Sequence, residues 1–219
     1  FEYLGRRSLF PEFQAAVAQM GRHSLNCLRL TGVTGTGKSR VVAAFAVKYH
    51  KAGLKCTDGV VRRIVFLPNS TEACAHPVQR LLQALLLTFA QDDGLSETIW
   101  QLILSNASTS SVVHFCDTAP PLIFIADNFN AECREAKLIH DAWRLHEWVC
   151  VMSYCNDKDS KELRVRDDTY IVRVHGGFSE EEFKEWFARK QHELPALSPW
   201  SLRGLRDSTG ANPLLLQVF

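Results

Sequence analysis

One short segment, TGVTGTGKSR at residues 31–40, constrains the fold of this chain more than any other. Four of its residues have the spacing of the pattern G-x-x-x-x-G-K-[ST]: Gly32, Gly37, Lys38 and Ser39. An apolar run at residues 25–30 precedes the segment, and a helical pattern at residues 38–51 follows it. A glycine-rich loop between a strand and a helix is the context that a phosphate-binding P-loop requires. The sequence therefore predicts an α/β domain of the P-loop class.

This loop predicts a nucleoside triphosphate and Mg²⁺ as ligands. Glycines let the backbone curl so that several N–H groups converge on phosphate oxygens, and the following helix points its positive end at the same charge. We expect Lys38 to reach the terminal phosphates of ATP or another nucleoside triphosphate, and the Ser39 hydroxyl to bind Mg²⁺. The alternative is a glycine-rich turn that binds nothing. The predicted nucleotide contacts in the segment are Gly32, Val33, Thr34, Gly35, Thr36, Gly37, Lys38, Ser39 and Arg40.

A second motif, PLIFIAD at residues 121–127, has the character of a Walker B strand. Its continuous apolar run predicts a strand buried on both faces, and Asp127 at its end would hold Mg²⁺ directly or through water. The alternative is a turn aspartate that caps the next helix. In hydrolysing members of this class a glutamate that activates water often comes next, but here the residue is Asn128. An amide orients water but accepts no proton, so strong general-base catalysis from this position is excluded; Asn130, Glu132 or another domain remain as substitutes.

Apolar runs alternate with helical patterns along the rest of the chain, which predicts a mostly parallel sheet sandwiched by helices. The expected strands are residues 25–30, 60–68, 121–127, 148–153 and 169–175. The expected helices include 38–51, an apolar-faced one with Leu81, Leu82, Leu85, Leu86 and Phe89, one at 96–104 with Ser96 as N-cap, and one at 132–144. The strand at 60–68, between the two motifs, favours the additional-strand (ASCE) branch of P-loop proteins.

We expect the domain to end near Gly177. Beyond it, Ser179 and Glu182 have the spacing of a capping box, and the remaining sequence is helical in pattern. The predicted division is a P-loop core at residues 1–177 and the start of a helical subdomain at residues 178–219. The chain begins without methionine, and we expect an excised fragment whose flanking domains are absent here.

Other polar residues are candidates for assisting the nucleotide site. Ser153 would lie beside the P-loop if its strand neighbours the first one, and either it or Asn156 would then sense the γ-phosphate. The alternative for Ser153 is a strand-end serine that bonds to backbone. Three residues are candidates for an arginine finger, and no spacing rule selects among them: Arg134, Arg144 and Arg173.

The composition of the chain limits the kinds of partner and environment that it predicts. The 25 basic and 24 acidic side chains almost cancel, so no bulk positive field favours nucleic acid, and any DNA contact would need a local patch. Seven cysteines without a C-x-x-C pair fit reduced thiols in a soluble protein better than a disulfide framework or a zinc site. The longest apolar run, near residues 81–90, is too short to cross a membrane.

Two flanking segments resemble elements of AAA+ and STAND NTPases. YLGRR at residues 3–7 resembles the hydrophobic-Gly-Arg element before the P-loop, and GANPLLL at residues 210–216 resembles the G-x-P-L segment of the helical subdomain. The resemblance implies that the backbone of Leu4, Gly5 and Arg6 meets the adenine ring and that Pro213 packs near it. The alternatives are an ordinary helix-entry turn and a helix start capped by Asn212.

More specifically, the chain resembles the P-loop NTPase domain of Crinkler-type effectors. The segments that carry the resemblance are YLGRRSLFPEF, TGVTGTGKSR, IADNFNAE and VMSYCND. It implies a secreted protein that is delivered to host cells and found in their nuclei, with a nuclease-like or other toxic domain after the NTPase. Contact with DNA would come only through the full-length protein, and self-association is a further expectation.

Three hypotheses about activity remain. In the first, Mg·ATP hydrolysis, slow or conditional, drives a movement of the helical subdomain. The second, motivated by Asn128, is a nucleotide-held switch or oligomerisation module without turnover. A small-molecule kinase ranks lowest, because the polar insert at residues 156–168 holds only Arg164 and Arg166 for a lid.

Overall fold

The computed structural model describes residues 9–20, 27–67, 77–129, 149–154, 169–174, 176–190, 199–209, 211–212 and 216 of the 219. The helices of these ranges are α1 (Leu9–Gln19), α2 (Lys38–Tyr49), α3 (Pro77–Thr88), α4 (Asp93–Leu104), α5 (Thr109–Thr118), α6 (Glu180–Lys190) and α7 (Pro199–Thr209). The strands are β1 (Cys27–Gly32), β2 (Leu54–Lys55), β3 (Val61–Leu67), β4 (Leu122–Phe129), β5 (Val149–Tyr154) and β6 (Thr169–Val174).

The described strands form one sheet in the order β2-β3-β4-β5-β1-β6. All neighbouring pairs are parallel except β2 with β3, which is antiparallel. The mostly parallel α/β sheet that the sequence predicts is therefore confirmed. Because parallel strands share an orientation, the carboxyl ends of β1, β4 and β5 meet at one edge of the sheet. This edge carries the glycine loop, Asp127 and Ser153.

A further strand does separate β1 from β4, but it is not the one between the two motifs in the sequence. The separating strand is β5, whereas β3 lies on the far side of β4. After β3 the chain crosses over through α3, α4 and α5 and returns as β4, and these two strands pair in parallel over Arg63 to Leu67. The later strand β5 then occupies the space between β4 and β1.

Helices cover both faces of the sheet. Strand β4 alternates its side chains between the two cores: Leu122, Phe124 and Ala126 pack with α3, α4 and α5, whereas Ile123 and Ile125 pack with α1 and α2. Alternation is what a strand's pleat imposes, and a strand apolar at both sets of positions must be covered on both faces. The prediction that this strand is buried on both faces is confirmed.

An aromatic contact joins helix α2 to helix α1. Phe45 is fully buried and meets the edge of the Phe13 ring of α1 at a centroid distance of 5.2 Å. The same ring lies 4.8 Å from that of Tyr49, where the helix ends, two residues before the predicted end. Burying an aromatic side chain of this size stabilises the fold by about 2 kcal/mol, so these contacts hold the helix that starts at the glycine loop in place.

Two helices differ from the prediction. Helix α4 begins earlier than expected, because Asp92 rather than Ser96 is its N-cap: the Leu95 N–H donates to Asp92 Oδ1 at 3.1 Å. The Ser96 hydroxyl instead donates to Asp93 O, inside the first turn. Helix α5 was not predicted from the sequence, because its apolar residues are spaced for a helix face but stand in a stretch rich in serine and threonine. Its buried residues are Val112, Phe115 and Cys116.

The capping box at the start of α6 is confirmed in both halves. The Glu182 N–H donates to Ser179 Oγ at 3.1 Å, and the Ser179 N–H donates to Glu182 Oε2 at 2.8 Å. Beyond this point a small apolar cluster joins α6 to α7 and the residues after it. Its members are Phe178, Phe183, Trp186, Leu205, Ala211 and Leu216. The division of the chain at residue 177 stays a prediction.

The remaining predictions concern a helix face, the cysteines, a further helix and the membrane, and the described residues test them only in part. Of the predicted face of α3, Leu81, Leu82, Leu85 and Phe89 are buried, and Leu86 is half-buried. Three cysteines whose side chains are described are free thiols, namely Cys27, Cys56 and Cys116, and burial raises the pKa of Cys116 to about 12. The helix predicted at 132–144 lies outside the described residues. None of the described helices is long and apolar enough to cross a membrane.

Candidate phosphate-binding site

The glycine loop is a compact turn held by its own hydrogen bonds. Thr36 is buried, and both its hydroxyl and its N–H donate to Val33 O, at 2.8 and 3.4 Å. Gly35 and Gly37 have positive φ angles of 86° and 93°. Val33 and Thr34 are exposed on the outside of the turn. These internal bonds therefore define the shape of the loop.

The first glycine of the motif lies against strand β6. Gly32 is in register with Val174. Its φ angle is +147°, a backbone conformation that residues with a Cβ rarely adopt. A Cβ on Gly32 would lie 2.4 Å from Val174 O. Strand β6 and the start of the loop thus approach each other as closely as a glycine permits.

Lys38 is a buried cation that points back across the loop. Its side chain is 6% exposed, and Nζ donates to Gly32 O at 2.7 Å and to Val33 O at 2.9 Å. Burying an ammonium is costly unless acceptors surround it, and these two carbonyl oxygens hold the Lys38 ammonium at the loop. A phosphate oxygen carries a negative charge that a carbonyl oxygen lacks, so its bond with such a donor is stronger. Lys38 is therefore well placed for an anion seated in the loop.

The start of α2 adds to the positive potential. Gly37 is the N-cap and has no side chain that could accept from the first helical amides, and the first turn carries no acidic residue. The positive end of the helix dipole is therefore not neutralised by its own side chains. Ser39 and Arg40 are exposed in this first turn. An anion in the loop would meet both the helix dipole and the Lys38 ammonium.

Asp127 and Ser153 meet at the same edge of the sheet. Ser153 Oγ donates to Asp127 Oδ1 at 3.0 Å, and the two side chains are 1% and 9% exposed. Ser153 also sits beside the P-loop strand, as predicted, since it is in register with Leu30 of β1. The partner of the Ser153 hydroxyl is a carboxylate, which was not predicted from the sequence. A donor that holds Oδ1 fixes the rotamer of Asp127 and leaves the carboxylate further lone pairs for a cation.

Strand β4 is irregular at the position of Asp127. Its pairing with β5 shifts register between Ala126 and Phe129, so an irregularity of the bulge type spans Asp127 and Asn128. Such irregularities redirect side chains and are frequent next to functional sites. The backbone of Asn128 belongs to β4, but its side chain lies outside the described part of the structure.

The residues suited to a metal ion are few. Within the described ranges, no group of three or more His, Cys, Asp or Glu side chains converges. Mg²⁺ in nucleotide sites commonly takes one or two protein oxygens and completes its shell with phosphates and water. A nearly buried carboxylate at Asp127 and an exposed hydroxyl at Ser39 fit that requirement.

An additional residue, Asn212, reaches the loop from the other end of the chain. Its Nδ2 donates to Thr34 O at 3.3 Å. From the sequence, Asn212 was expected only as a helix cap, although it stands just before Pro213, the proline expected near the base. No local pattern encodes a contact between residues so far apart in the chain.

Several predicted site residues fall outside the described ranges. They are Leu4, Gly5, Arg6, Asn130, Glu132, Arg134, Arg144, Asn156 and Pro213. Their roles stay predictions, including the adenine contacts. Of the arginine-finger candidates, Arg173 is described: it is exposed on β6, in register with Thr31.

No protein-family model and no curated protein matches the chain. It is similar to a STAND protein with a tetratricopeptide repeat sensor from Pyrococcus horikoshii, with a TM-score of 0.46 and 14% identity over 99% of this chain and 29% of that chain. The ORC2 protein of Aeropyrum pernix, in ADPNP–ADP complexes, gives a TM-score of 0.46 and 12% identity over 85% of this chain and 52% of that chain. PCH-2 of C. elegans gives a TM-score of 0.35 and 13% identity over 99% of this chain and 69% of that chain. At these scores the likeness carries no weight for function, and the site rests on the chain's own residues.

Proposed function

We propose that the chain binds a nucleoside triphosphate with Mg²⁺ in the glycine loop and hydrolyses it slowly or conditionally. The observation that carries the proposal is the buried Lys38 ammonium, 2.7 Å from Gly32 O and 2.9 Å from Val33 O, at the junction of β1 and α2. The motif spacing alone permits a ligand-free glycine turn. A buried cation that donates to the loop's carbonyls, on the first residue of a helix, is the better support for an anionic ligand.

Each residue of the proposed site has a binding role. The N–H groups of the loop and of the start of α2 would donate to phosphate oxygens, and Lys38 would neutralise the terminal phosphates. Asp127, oriented by Ser153, and the Ser39 hydroxyl would hold the metal ion. The chemistry that Mg²⁺ would supply there is positive charge, which offsets the negative charge of the phosphates.

Slow turnover follows from the residue after Asp127. A carboxylate there would accept the proton of the attacking water, whereas Asn128 offers an amide oxygen that only orients it. Loss of a positioned general base typically costs about 10²- to 10⁴-fold in rate. The same residue supports the second candidate function, a nucleotide-held switch or oligomerisation module without turnover.

Finer features of the proposal rest on the sequence resemblance. ATP as the preferred nucleotide follows from the implied adenine contacts of residues 4–6 and Pro213. The role of a motor or switch module in a larger Crinkler-type effector, its secretion and its placement in a host nucleus stay predictions. The flanking domains would supply any partner that accelerates hydrolysis.

Phosphate release separates the two candidate functions. We expect the wild type to release phosphate from Mg·ATP slowly, Lys38→Ala to release none above background, and Asn128→Glu to be faster than the wild type. Lys51→Ala, which removes an exposed charge after the end of α2, is the matched control and should behave as the wild type. If the wild type binds ATP yet is no faster than Lys38→Ala, hydrolysis is rejected and the switch stands.

A further inference from the structure

The contact between Asn212 and the loop joins the C-terminal helical part of the chain to the proposed phosphate site. The amide of Asn212 donates to Thr34 O at 3.3 Å across 178 positions in sequence. Thr34 is exposed in the middle of the glycine loop, and Asn212 is half-buried. The bond reaches backbone rather than a side chain, so it acts on the shape of the loop itself.

Peptide geometry determines what such a bond does to the loop. Thr34 C=O and Gly35 N–H belong to one planar trans peptide, in which the two groups point in opposite directions. A donor that draws Thr34 O toward Asn212 therefore turns the Gly35 N–H away from it. In phosphate-binding loops these N–H groups are the donors to the phosphate oxygens.

We propose that Asn212 is a positioning residue for the phosphate-binding loop. Its side-chain amide orients the Thr34–Gly35 peptide and thereby the Gly35 N–H. This orientation depends on the position of residues 211–212. The inference rests on the proposed function, because it concerns the regulation of the same site. It makes the helical part of the chain a second determinant of nucleotide affinity.

The backbone that carries Asn212 is held from two sides. Ala211 is buried, the Ala211 N–H donates to Arg206 O at 3.0 Å, and Ala211 O accepts from the Phe178 N–H at 2.7 Å. The Asn212 N–H donates to Thr209 O at 3.0 Å. The position of the Asn212 amide therefore follows the end of α7 and the residues before α6.

Ala211 also has an unusual backbone conformation. Its φ angle is +51°, a left-handed value that residues other than glycine adopt only when their surroundings impose it. The two bonds to Arg206 and Phe178 impose it here, in the manner of a helix C-terminal motif. A rearrangement of α6 or α7 would release this conformation and move the amide away from the loop.

Coupling of this kind is reciprocal. If the position of residues 211–212 changes the affinity of the loop for phosphate, a bound phosphate must change the stability of the segment by the same free energy. The expected signal is a change in hydrogen exchange at the Phe178 amide and in α6 when nucleotide binds. A tether that only adds stability would produce no such response.

The test compares Asn212→Asp, which replaces the donor by an acceptor of the same shape, with Asn212→Ala, which removes the group without adding charge. Asn106→Asp is the matched control, since Asn106 is an exposed asparagine with a φ angle of 50° in the α4–α5 connection. The ligands are Mg·ADP and a non-hydrolysable ATP analogue. Affinity, unfolding midpoint and hydrogen exchange of residues 35–39 and 176–190 are measured for each protein.

Both Asn212 variants should bind nucleotide about three- to tenfold more weakly than the wild type, the range expected for one lost hydrogen bond. Their loop amides should exchange faster without nucleotide, and the nucleotide-induced change in residues 176–190 should be lost. The inference would be overturned if either variant kept wild-type nucleotide affinity and the nucleotide-induced change in residues 176–190. A loss of affinity confined to Asn212→Asp would also overturn it, because the introduced charge would then be the cause. A wild type that binds no nucleotide would overturn the proposed function and this inference together, whereas intact wild-type binding with unaffected variants rejects the inference alone.

Discussion

Replacing Gly32 by alanine tests the close approach of the loop to strand β6. The new Cβ would lie 2.4 Å from Val174 O and 3.1 Å from Val174 Cβ, so backbone would have to move. Overpacking of this kind costs about 1–3 kcal/mol. The φ angle of +147° adds about 1–2 kcal/mol of backbone strain. Together these terms predict a loss of about 2–5 kcal/mol in the free energy of unfolding.

Gly59→Ala separates the two terms. Gly59 also has a positive φ, +85°, but no atom lies within 4 Å of its added Cβ. This variant carries the backbone strain alone, and the smaller entropy of the unfolded alanine chain affects both variants equally. We therefore expect Gly32→Ala to be less stable than Gly59→Ala by about 1–3 kcal/mol.

Urea unfolding of the nucleotide-free proteins, followed by tryptophan fluorescence, measures this difference. Equal slopes with urea are required for the comparison. Since the displaced backbone belongs to the loop, Gly32→Ala should also bind nucleotide more weakly, whereas Gly59→Ala should not. Equal stabilities of the two variants, within about 0.5 kcal/mol, would refute the proposed contact between the loop and β6.

Further predictions concern the helix cap, a surface ion pair and the metal side of the site. Ser179→Ala should lower the free energy of unfolding by about 1 kcal/mol, because it removes an N-cap acceptor, and urea unfolding measures the loss. The Arg62 guanidinium, 3.0 and 2.7 Å from the Asp58 oxygens, holds the pKa of Asp58 below its usual value. This pair therefore stabilises the fold above the unfolded pKa of about 3.9, and the contribution is lost as pH falls through the lower folded pKa. Asp58→Asn should thus differ less from the wild type in acid than at neutral pH, and a constant difference in stability would contradict this. Ser153→Ala should raise the Mg²⁺ concentration needed for nucleotide binding by about tenfold, because Asp127 loses its orienting donor, and a Mg²⁺ titration that matches the wild type would reject the role.

The features that were predictable from the sequence are those that a few adjacent residues determine. The glycine loop, the apolar strand that leads to Asp127 and the capping box of Ser179 with Glu182 each depend on spacing within one segment. Helix α5 was missed because its apolar positions, such as Val112 and Phe115, stand among serines and threonines that are typical of loops.

Contacts that depend on the order of the strands were not predictable in the same way. The bond between Ser153 and Asp127 requires β5 to lie beside β4. Chain order did not reveal that arrangement. The contact of Asn212 with Thr34 depends in addition on the packing of α6 and α7 against each other. Tertiary packing, rather than local pattern, decides both.

Calorimetric titration of the wild type and Lys38→Ala with Mg·ATP tests the central claim most directly, with Lys51→Ala as the charge-matched control. We expect saturable one-site binding to the wild type and to Lys51→Ala. Affinity should fall at least about tenfold in Lys38→Ala, because the variant loses a buried charge-assisted contact with the phosphates. Chelation of Mg²⁺ should weaken binding to the wild type. Equal affinity in the wild type and Lys38→Ala, or no binding to the wild type, would contradict the assignment of the glycine loop as a nucleotide site.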